Sequence, residues 1–331
     1  TKNSGESIVA SLISSNNESV FLLKISTSIS ITNSDTIEFD TFKFIIPPGI
    51  DAIRSFLVKV DTDGKVIKAV LLGKFGVESM CRDPNDNFYI VGNFNITDTN
   101  PIYILGKPTN LVPKNGNYLY FKIDSNLNLL WHKQIGNLYT NVLYVQNIQF
   151  LNKSIYFLAR SKGKTVVGDS TYNLDANSYS SIFGEINLSN GSVVWSNCLF
   201  KNTSPGTAEV VFQGITRIKG NLFISGFNNS GNNFTIASDI FYNQTPFIIK
   251  TDSVGKYKGM YTLKNNRPVS FSNVVSDGKN LFFGGSFSDS LTFKQKVKIA
   301  PYFPSGSAKK EMFVASISSS FRSEERRVGK E

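Results

Sequence analysis

The sequence has very few of the side chains that most metal centres and acid–base sites need. Among its 331 residues are two cysteines and one histidine, which exclude a disulfide scaffold and a zinc cluster. No stretch approaches the roughly 18 consecutive apolar residues of a membrane-spanning helix. No segment shows 3.6-residue periodicity over three turns with helix caps. Hydrophobic residues make up 40% and charged residues 18% of the chain, which is typical of a folded protein with a sizeable core. No cofactor and no metal ion are predicted.

The positive charge of the chain is spread along the sequence. The formal net charge is +10, and lysines cluster only at residues 294–298 and 309–310. No nucleic-acid-binding motif accompanies them, so a nucleic-acid partner is disfavoured. The last ten residues, 322–331, carry seven charges and follow a serine-rich segment. They resemble the translation of a sequencing-adaptor oligonucleotide fused to a reading frame, and we treat them as a non-native tail outside the fold.

Two short phrases recur along the chain. In one, three or four apolar residues precede a small residue, as in NFYIVG (87–92), NLFISG (221–226) and NLFFGG (280–285). In the other, an apolar segment runs into a turn, as in LYFKIDSNL (119–127) and FIIKTDSVG (247–255). Each phrase occurs five times with a period of about 65 residues. Two independent phrases with one period indicate a repeated structural unit.

Each repeat predicts four short β-strands. The strands are rich in Phe, Tyr, Ile and Val, and turn-forming residues join the last two. Four-stranded units repeated along a chain form the blades of a β-propeller, so the predicted fold class is an all-β propeller with about five blades. A small residue on the second strand would let successive sheets approach closely, although Lys24 departs from this in the first repeat.

The predicted propeller covers residues 1–321. Its blades are approximately residues 6–73, 74–136, 137–200, 201–263 and 264–321. The last blade lacks its outer strand, and an open propeller exposes strand edges, so we expect an incomplete ring. The core should come from repeated apolar positions, namely Tyr89, Ile90, Phe157, Phe223, Ile224, Phe282 and Phe283.

The repeated phrases resemble those of a known family. The segments DNFYIVGNF (86–94), GNLFISGF (220–227) and KNLFFGGSF (279–287), with FKIDSNLNLLWHKQIG (121–136), are similar to the bacterial β-propeller repeat of the SBBP type. The resemblance covers nearly the whole chain. It implies a propeller in a secreted or cell-surface protein, and it implies no catalytic residues because the shared positions are structural.

Every repeat has about 20 residues more than four strands require, between its second and third strands. These inserts, at roughly 27–53, 95–117, 161–179, 228–245 and 287–309, each predict a small hairpin. Because they occupy the same link of each blade, they are expected on one face of the propeller. That face would present cations and aromatic rings suited to an acidic or glycan ligand or to another protein: Tyr103, Lys107, Tyr172, Tyr242, Lys294, Lys296, Lys298 and Tyr302. The hairpins could equally serve only to cover the sheet edges.

The leading hypothesis is a non-catalytic propeller that acts as a binding or interaction scaffold. The alternative is an enzyme acting on carbohydrate at the channel mouth, with Glu78, Arg82, Asp83 and Arg217 as the first candidates. A carboxylate pair roughly 5 to 9 Å apart there would favour a glycosidase. The phrase INLSNGSVVW (186–195) is similar to one of quinone-binding propellers, so a PQQ-like enzyme is another form of this alternative. A third possibility is a purely structural repeat of a larger adhesin.

Three further features have simple structural explanations. His132, the only histidine, is predicted on an outer strand far from the channel, as an exposed residue rather than a general base. Cys81 and Cys198 fall on first and fourth strands of adjacent repeats and are expected to be buried free thiols. Residues 61–64 (DTDG) lack the later ligands of a calcium loop and are therefore expected to form a turn.

Overall fold

A computed structural model describes residues 4–27, 35–46, 53–94, 102–111, 118–135, 143–177, 179–200, 210–228, 234–236, 239–241, 245–262, 270–287, 291–293, 297–299 and 311–320. Every regular element in these ranges is a β-strand. The same residues contain no helix long and apolar enough to cross a membrane. The predicted tail, 322–331, lies outside the described residues.

The strands follow the predicted repeat. The first repeat contains β1 (Ser4–Ile13), β2 (Ser19–Thr27), β3 (Asp35–Phe39), β4 (Phe42–Ile46), β5 (Ile53–Val60) and β6 (Val66–Gly73). The second contains β7 (Gly76–Arg82), β8 (Phe88–Asn93), β9 (Tyr103–Ile104), β10 (Lys107–Pro108), β11 (Tyr118–Ile123) and β12 (Leu129–Ile135). The third contains β13 (Leu143–Leu151), β14 (Ser154–Ser161), β15 (Lys164–Val167), β16 (Ser170–Asn173), β17 (Ser180–Ile186) and β18 (Val193–Phe200). The fourth contains β19 (Val210–Ile218), β20 (Asn221–Asn228), β21 (Phe234–Ile236), β22 (Asp239–Phe241), β23 (Thr245–Thr251) and β24 (Tyr257–Thr262). The fifth contains β25 (Ser270–Ser276), β26 (Asn280–Phe287), β27 (Leu291–Phe293), β28 (Val297–Ile299) and β29 (Glu311–Ser318).

Each of the first four repeats forms one four-stranded sheet whose strands follow one another in chain order, except that the insert hairpin lies between the second and third strands. The orders are β1-β2-β5-β6, β7-β8-β11-β12, β13-β14-β17-β18 and β19-β20-β23-β24. The fifth sheet has three described strands, β25-β26-β29. The insert of every repeat contains a two-stranded hairpin: β3–β4, β9–β10, β15–β16, β21–β22 and β27–β28. Repeated up-and-down sheets of this kind are the blades of a β-propeller, and the predicted fold class is confirmed. The incomplete ring stays a prediction.

The chain divides into two compact units. One comprises residues 1–155 with 187–192, and the other comprises residues 156–186 with 193–331. The first unit thus contains the first two sheets and β13, and the second contains the last two sheets and most of the third.

The core of the first unit lies between its first two sheets. Val20, Leu22 and Leu57 on one face of the first sheet pack in one cluster with Ile90 and Phe121 of the second sheet. All five side chains are fully buried, and burial of each contributes about 1.5–3 kcal/mol. The opposite face of the first sheet carries a smaller cluster that includes the phenylalanines of hairpin β3–β4.

The core of the second unit includes the interface between the fourth and fifth sheets. Phe223 and Ile248 of the fourth sheet cluster there with Val274, Phe283 and Phe313 of the fifth. The second strands β8 and β20 are buried on both faces, which explains why their sequences are nearly continuous apolar runs rather than alternating ones.

Six of the seven predicted core positions are buried, and Phe282 is an exception. Tyr89, Ile90, Phe157, Phe223, Ile224 and Phe283 are at most 2% exposed. Phe282 is half-buried because it lies on the face of the fifth sheet that points away from the fourth. No other described sheet of the second unit covers that face.

The small residue of the second strand makes room inside its own sheet. A Cβ on Gly92 would lie 2.5 Å from the carbonyl oxygen of Gly76, on the first strand of the same sheet. A Cβ on Gly226 would lie 2.4 Å from the ring of Phe247 and 2.7 Å from the carbonyl oxygen of Val211. At these two positions, therefore, the prediction that the small residue lets successive sheets approach closely is wrong. The close atoms belong to the neighbouring strands.

Lys24, the exception to the small-residue rule, contacts the next sheet. Its Nζ lies 3.6 Å from Oε1 of Glu78, and the Asn93 side-chain amide donates to the same oxygen at 2.6 Å. Glu78 is the extra residue of a β-bulge between Val77 and Ser79, and a bulge redirects a side chain in this way. The first two sheets are therefore joined by a partly exposed ion pair.

Candidate functional site

The insert hairpins of the second, third and fourth repeats lie against outer strands of the sheets. In the second repeat, the backbone N–H of Leu105 donates to the carbonyl of Leu72 on β6 at 2.9 Å. In the third, the hydroxyl of Tyr172 on β16 is hydrogen-bonded to the hydroxyl of Ser196 on β18, with the two oxygens 2.8 Å apart. In the fourth, the Tyr257 hydroxyl on β24 donates to Asp239 of hairpin β21–β22. Polar contacts therefore fix these hairpins along the sheet edges.

The predicted binding residues occupy different environments. Tyr103 is 49% exposed and Lys107 is exposed, both on hairpin β9–β10. Tyr172 is half-buried, and its hydroxyl is engaged with Ser196. Lys298 lies on β28 opposite Thr292, and only its backbone is described. Tyr242, Lys294, Lys296 and Tyr302 lie outside the described residues. Binding through the whole set stays a prediction.

The second unit brings together a cluster of cations and an aromatic ring that the sequence analysis missed. The guanidinium carbon of Arg160 lies 4.9 Å from the centroid of the Tyr179 ring, and Nζ of Lys162 lies 5.4 Å from it. Both distances are within the roughly 6 Å at which a cation is attracted by the ring face. All three residues are half-buried and stand at the two ends of the third insert. The sequence signal that could have indicated this cluster is the basic segment RSKGK at residues 160–164.

Two of the channel-mouth candidates, Glu78 and Asp83, lie near opposite ends of β7. Five residues of extended strand span about 16 Å, well beyond the roughly 5 to 9.5 Å between the carboxyl groups of a glycosidase. Glu78 is held by Lys24 and Asn93. These two carboxylates therefore do not form the pair that a glycosidase needs.

Asp83 is buried and held by polar contacts in its own sheet. Its Oδ1 accepts the backbone N–H groups of Asn85 and Asn87 at 2.9 and 3.0 Å. Its Oδ2 accepts the hydroxyl of Tyr89 at 3.0 Å and lies 3.9 Å from Nζ of Lys122. Burial, and then the hydrogen bond to Asp83, raise the pKa of Tyr89, so this phenol stays protonated at neutral pH. The arrangement fixes the turn between β7 and β8.

Arg82 and Arg217 are also committed to structural contacts. Arg82 forms an ion pair with Asp86, which also accepts hydrogen bonds from the backbone N–H and the hydroxyl of Ser15, in the turn between β1 and β2. Burial opposes ionisation of Asp86, but the bonds from Ser15 and Arg82 prevail and lower its pKa. Arg217, in the second unit, donates from Nη1 to the Tyr156 hydroxyl at 3.0 Å.

His132 lies on an outer strand, β12, and contacts the hairpin segment of its own repeat. Its Nε2 is 3.0 Å from Oδ1 of Asn110, and the ring is half-buried rather than exposed, because this segment covers one side. Ser196, which follows Trp195 as His132 follows Trp131, likewise contacts the insert hairpin of its own repeat. Burial, and then the charge of Lys133, lower the pKa of His132 and so favour the neutral imidazole. The only histidine thus has a structural contact.

The two cysteines are free thiols in different environments. Cys81 is buried on β7; burial, and then the charge of Asp83, raise the pKa of its thiol. A thiol held in its protonated form is a poor nucleophile. Cys198 on β18 is half-buried rather than buried, and its thiol donates to the carbonyl of Phe200 at 3.2 Å.

The acidic turns bind their own backbone. Oδ1 of Asp61 accepts the N–H groups of Asp63 and Lys65 at 3.0 and 2.9 Å, as in an Asx turn. Asp252 repeats this pattern with the residues two and four positions later. Within the ranges that the structure describes, no three metal-binding side chains come together.

Successive sheets are joined by another contact that the sequence analysis missed. A side-chain N–H donor of one repeat binds a backbone carbonyl in the turn after the third strand of the next repeat. The contacts are Lys59 to Ser125 at 3.0 Å, Trp131 to Leu188 at 3.2 Å, Asn197 to Gly255 at 3.0 Å and Lys250 to Ser319 at 3.2 Å. Two of the donors, Lys59 and Lys250, are the lysine that precedes the turn in the second phrase, which was a signal for these two contacts. The other two donors are a tryptophan and an asparagine on fourth strands.

Comparison with known proteins finds similarity among solved structures alone. No protein-family model matches the chain, and no curated protein matches it. Among solved structures, the Dos1 propeller is similar with a TM-score of 0.41 and 10% sequence identity, covering 88% of this chain and 69% of that chain. A variant of an apocarotenoid oxygenase from Synechocystis is similar with a TM-score of 0.40 and 8% identity, covering 90% of this chain and 61% of that chain.

Proposed function

We propose that this chain is a non-catalytic propeller module of a secreted or cell-surface protein, of the SBBP repeat type, and that it binds an acidic glycan through its insert segments. The observation that carries the proposal is the cluster of Arg160, Lys162 and Tyr179 at the ends of the third insert. Two cations beside one aromatic ring offer positive charge to carboxylate or sulfate groups. On the second insert, the exposed ring of Tyr103 offers an apolar face to a sugar ring, and Lys107 offers a further positive charge.

The channel-mouth candidates all make structural contacts, which supports a scaffold rather than an enzyme. Glu78, Asp83, Arg82 and Arg217 each have a contact that stabilises a strand, a turn or an interface. General acid–base catalysis needs a group that can reach a substrate proton with a suitable pKa. His132 is tied to a hairpin segment instead.

The experiment is retention of the purified chain on heparin-agarose and binding to an array of uronic-acid-containing and sulfated glycans. The test variant is Arg160→Glu with Lys162→Glu. The matched control is Lys65→Glu with Lys219→Glu, which changes the charge equally at two exposed turn residues. We expect the test variant to lose retention at a salt concentration where the control and the parent remain bound, because ion pairing of surface charges is screened by salt. Equal retention of both variants contradicts the proposal.

The enzyme alternative has its own test. If the chain is a carbohydrate-active or PQQ-like propeller enzyme, it should turn over a glycan of the same array or oxidise an alcohol in a quinone-dependent reaction. This activity should be lost in Glu78→Gln or Asp83→Asn. Asp83→Asn needs a stability control because Asp83 is buried. Turnover by the parent that a folded Glu78→Gln variant abolishes would replace the scaffold proposal.

A further inference from the structure

The turn between the third and fourth strands of the third repeat contains an asparagine followed by a glycine, Asn190–Gly191. This turn, residues 187–192, belongs to the same compact unit as Trp131. Asn190 is exposed, and Gly191 has a φ of +72°, which glycine adopts at little cost. Because glycine has no side chain, nothing on Gly191 hinders the approach of its backbone nitrogen to the side-chain amide of Asn190.

Two hydrogen-bond donors are directed at the side-chain amide of Asn190. The backbone N–H and the hydroxyl of Ser192 both donate to Oδ1 of Asn190 at 2.9 Å. Attack on the side-chain carbonyl carbon would place negative charge on this oxygen, and donors already in position stabilise such a charge. The Gly191 N–H donates to the carbonyl oxygen of Asn187 at 2.9 Å, and this single bond must open before the nitrogen can attack. Exposed turns open locally at low free energy, so this bond does not prevent the reaction.

Asn187, in the same turn, has the same pair of donors but a different neighbour. The backbone N–H and the hydroxyl of Ser189 donate to Oδ1 of Asn187 at 2.9 and 2.6 Å. Leu188 follows Asn187, and its side chain obstructs the approach of its backbone nitrogen. The turn therefore contains two asparagines with equivalent hydrogen bonds that differ in the residue that follows.

From this geometry we infer that Asn190 is a site of spontaneous deamidation, which converts it to aspartate and isoaspartate through a cyclic imide. The Gly191 nitrogen forms a bond to Cγ of Asn190, the bond from Cγ to the side-chain nitrogen breaks, and ammonia leaves with the proton of the Gly191 amide. Water then opens the ring. Cleavage between Cγ and the ring nitrogen gives aspartate, whereas cleavage on the main-chain side gives isoaspartate. Water is the only co-reactant, and no group is oxidised or reduced.

The two products should affect the contact of this turn with Trp131 differently. The indole N–H of Trp131 donates to the carbonyl of Leu188 at 3.2 Å, and a Cβ on Gly191 would lie 2.7 Å from the Trp131 ring. Isoaspartate inserts a methylene into the main chain directly before Gly191, and such close packing cannot accept it without a shift. Aspartate leaves the main chain unchanged, and Asp63 already precedes the positive-φ Gly64 in the corresponding turn of the first repeat. Isoaspartate, and not aspartate, should therefore weaken the Trp131 contact.

The test is incubation of the purified full chain in a mildly alkaline buffer, followed by mass spectrometry of the peptide that contains residues 187–192. Conversion of each asparagine appears as the mass gain that replaces an amide NH2 by OH, and isoaspartate is measured by enzymatic methyl transfer to its carboxylate. The variants are Ser192→Ala, which removes one donor to Oδ1 of Asn190, and Leu188→Gly, which removes the side chain after Asn187. Asn190→Asp supplies the product with an unchanged main chain, and its tryptophan fluorescence is compared with that of the incubated chain.

The expected result is conversion of Asn190 while Asn187 stays intact. Conversion should be about tenfold slower in Ser192→Ala, because one hydrogen bond to the reacting amide is lost. In Leu188→Gly, Asn187 should also be converted. Tryptophan emission should change as isoaspartate accumulates and should stay unchanged in Asn190→Asp.

Three outcomes overturn the inference. One is an intact Asn190 in the folded chain under conditions that convert it in the urea-unfolded chain, because the turn would then protect this residue. Another is conversion of Asn187 in the parent at the same rate as Asn190. The third is an equal rate of Asn190 conversion in the parent and in Ser192→Ala.

Discussion

Phe223 and Phe282 occupy the same position of the repeat and should respond differently to truncation. Phe223 is fully buried between the fourth and fifth sheets, where it clusters with Val274 and Phe283. Phe282 is half-buried on the uncovered face of the fifth sheet. Replacing Phe223 by alanine removes a buried ring and leaves a cavity, which should lower the free energy of unfolding by about 3–5 kcal/mol. Phe282→Ala should cost about 1 kcal/mol, because water already reaches this side chain.

The assay is urea unfolding of both variants, followed by circular dichroism and by the fluorescence of Trp131 and Trp195. Because the chain has two compact units, amide exchange of residues 245–251 provides a local measure of stability in the second unit. A loss below about 1 kcal/mol for Phe223→Ala, or equal losses for the two variants, would refute the proposed register and packing of the fifth sheet on the fourth.

Three further predictions concern single contacts. Gly226→Ala should destabilise the chain by about 1–3 kcal/mol in urea unfolding, because the added Cβ would lie 2.4 Å from the Phe247 ring; an unchanged midpoint contradicts this. The imidazole of His132, the only histidine of the chain, should titrate in NMR below its ordinary value near 6.5. As the pH falls below about 6.5, unfolding should take up a proton and the free energy of unfolding should therefore fall; a raised pKa contradicts this. A double-mutant cycle of Lys24→Ala and Glu78→Ala should give a coupling of about 0.2–1 kcal/mol that weakens with salt, because the pair is partly exposed; a coupling above about 2 kcal/mol would show a desolvated pair.

Much of the fold could be predicted because the signals are local. Apolar runs such as residues 88–91 and 222–224 predict strands buried on both faces, and Asp–x–x–Gly segments predict the turns between third and fourth strands. The repetition of these phrases then identifies the blade. The prediction that Cys198 is buried failed because the alternation of a fourth strand places some of its residues beside solvent.

The candidate site was less predictable because its contacts join residues distant in the sequence. Arg160 and Tyr179 are separated by an entire insert, and only the fold places the ring beside the cation. Glu78 and Asp83 are close in sequence, yet an extended strand holds them apart. The sequence left open whether the channel-mouth candidates include a carboxylate pair, and these two residues do not form one.

The sequence alone determined the strand content, the period and the hairpin in each insert, since alternation, β-branched and aromatic composition and turn residues act over a few positions. Only the tertiary structure decided which of two equivalent phenylalanines is buried, because burial depends on whether another sheet covers that face. It also decided the role of Lys24, whose charge is paired with a bulged glutamate of the next sheet. Repetition allows local structure to be predicted from the sequence, whereas the sheet that packs beside each repeat determines what the side chains of that repeat contact.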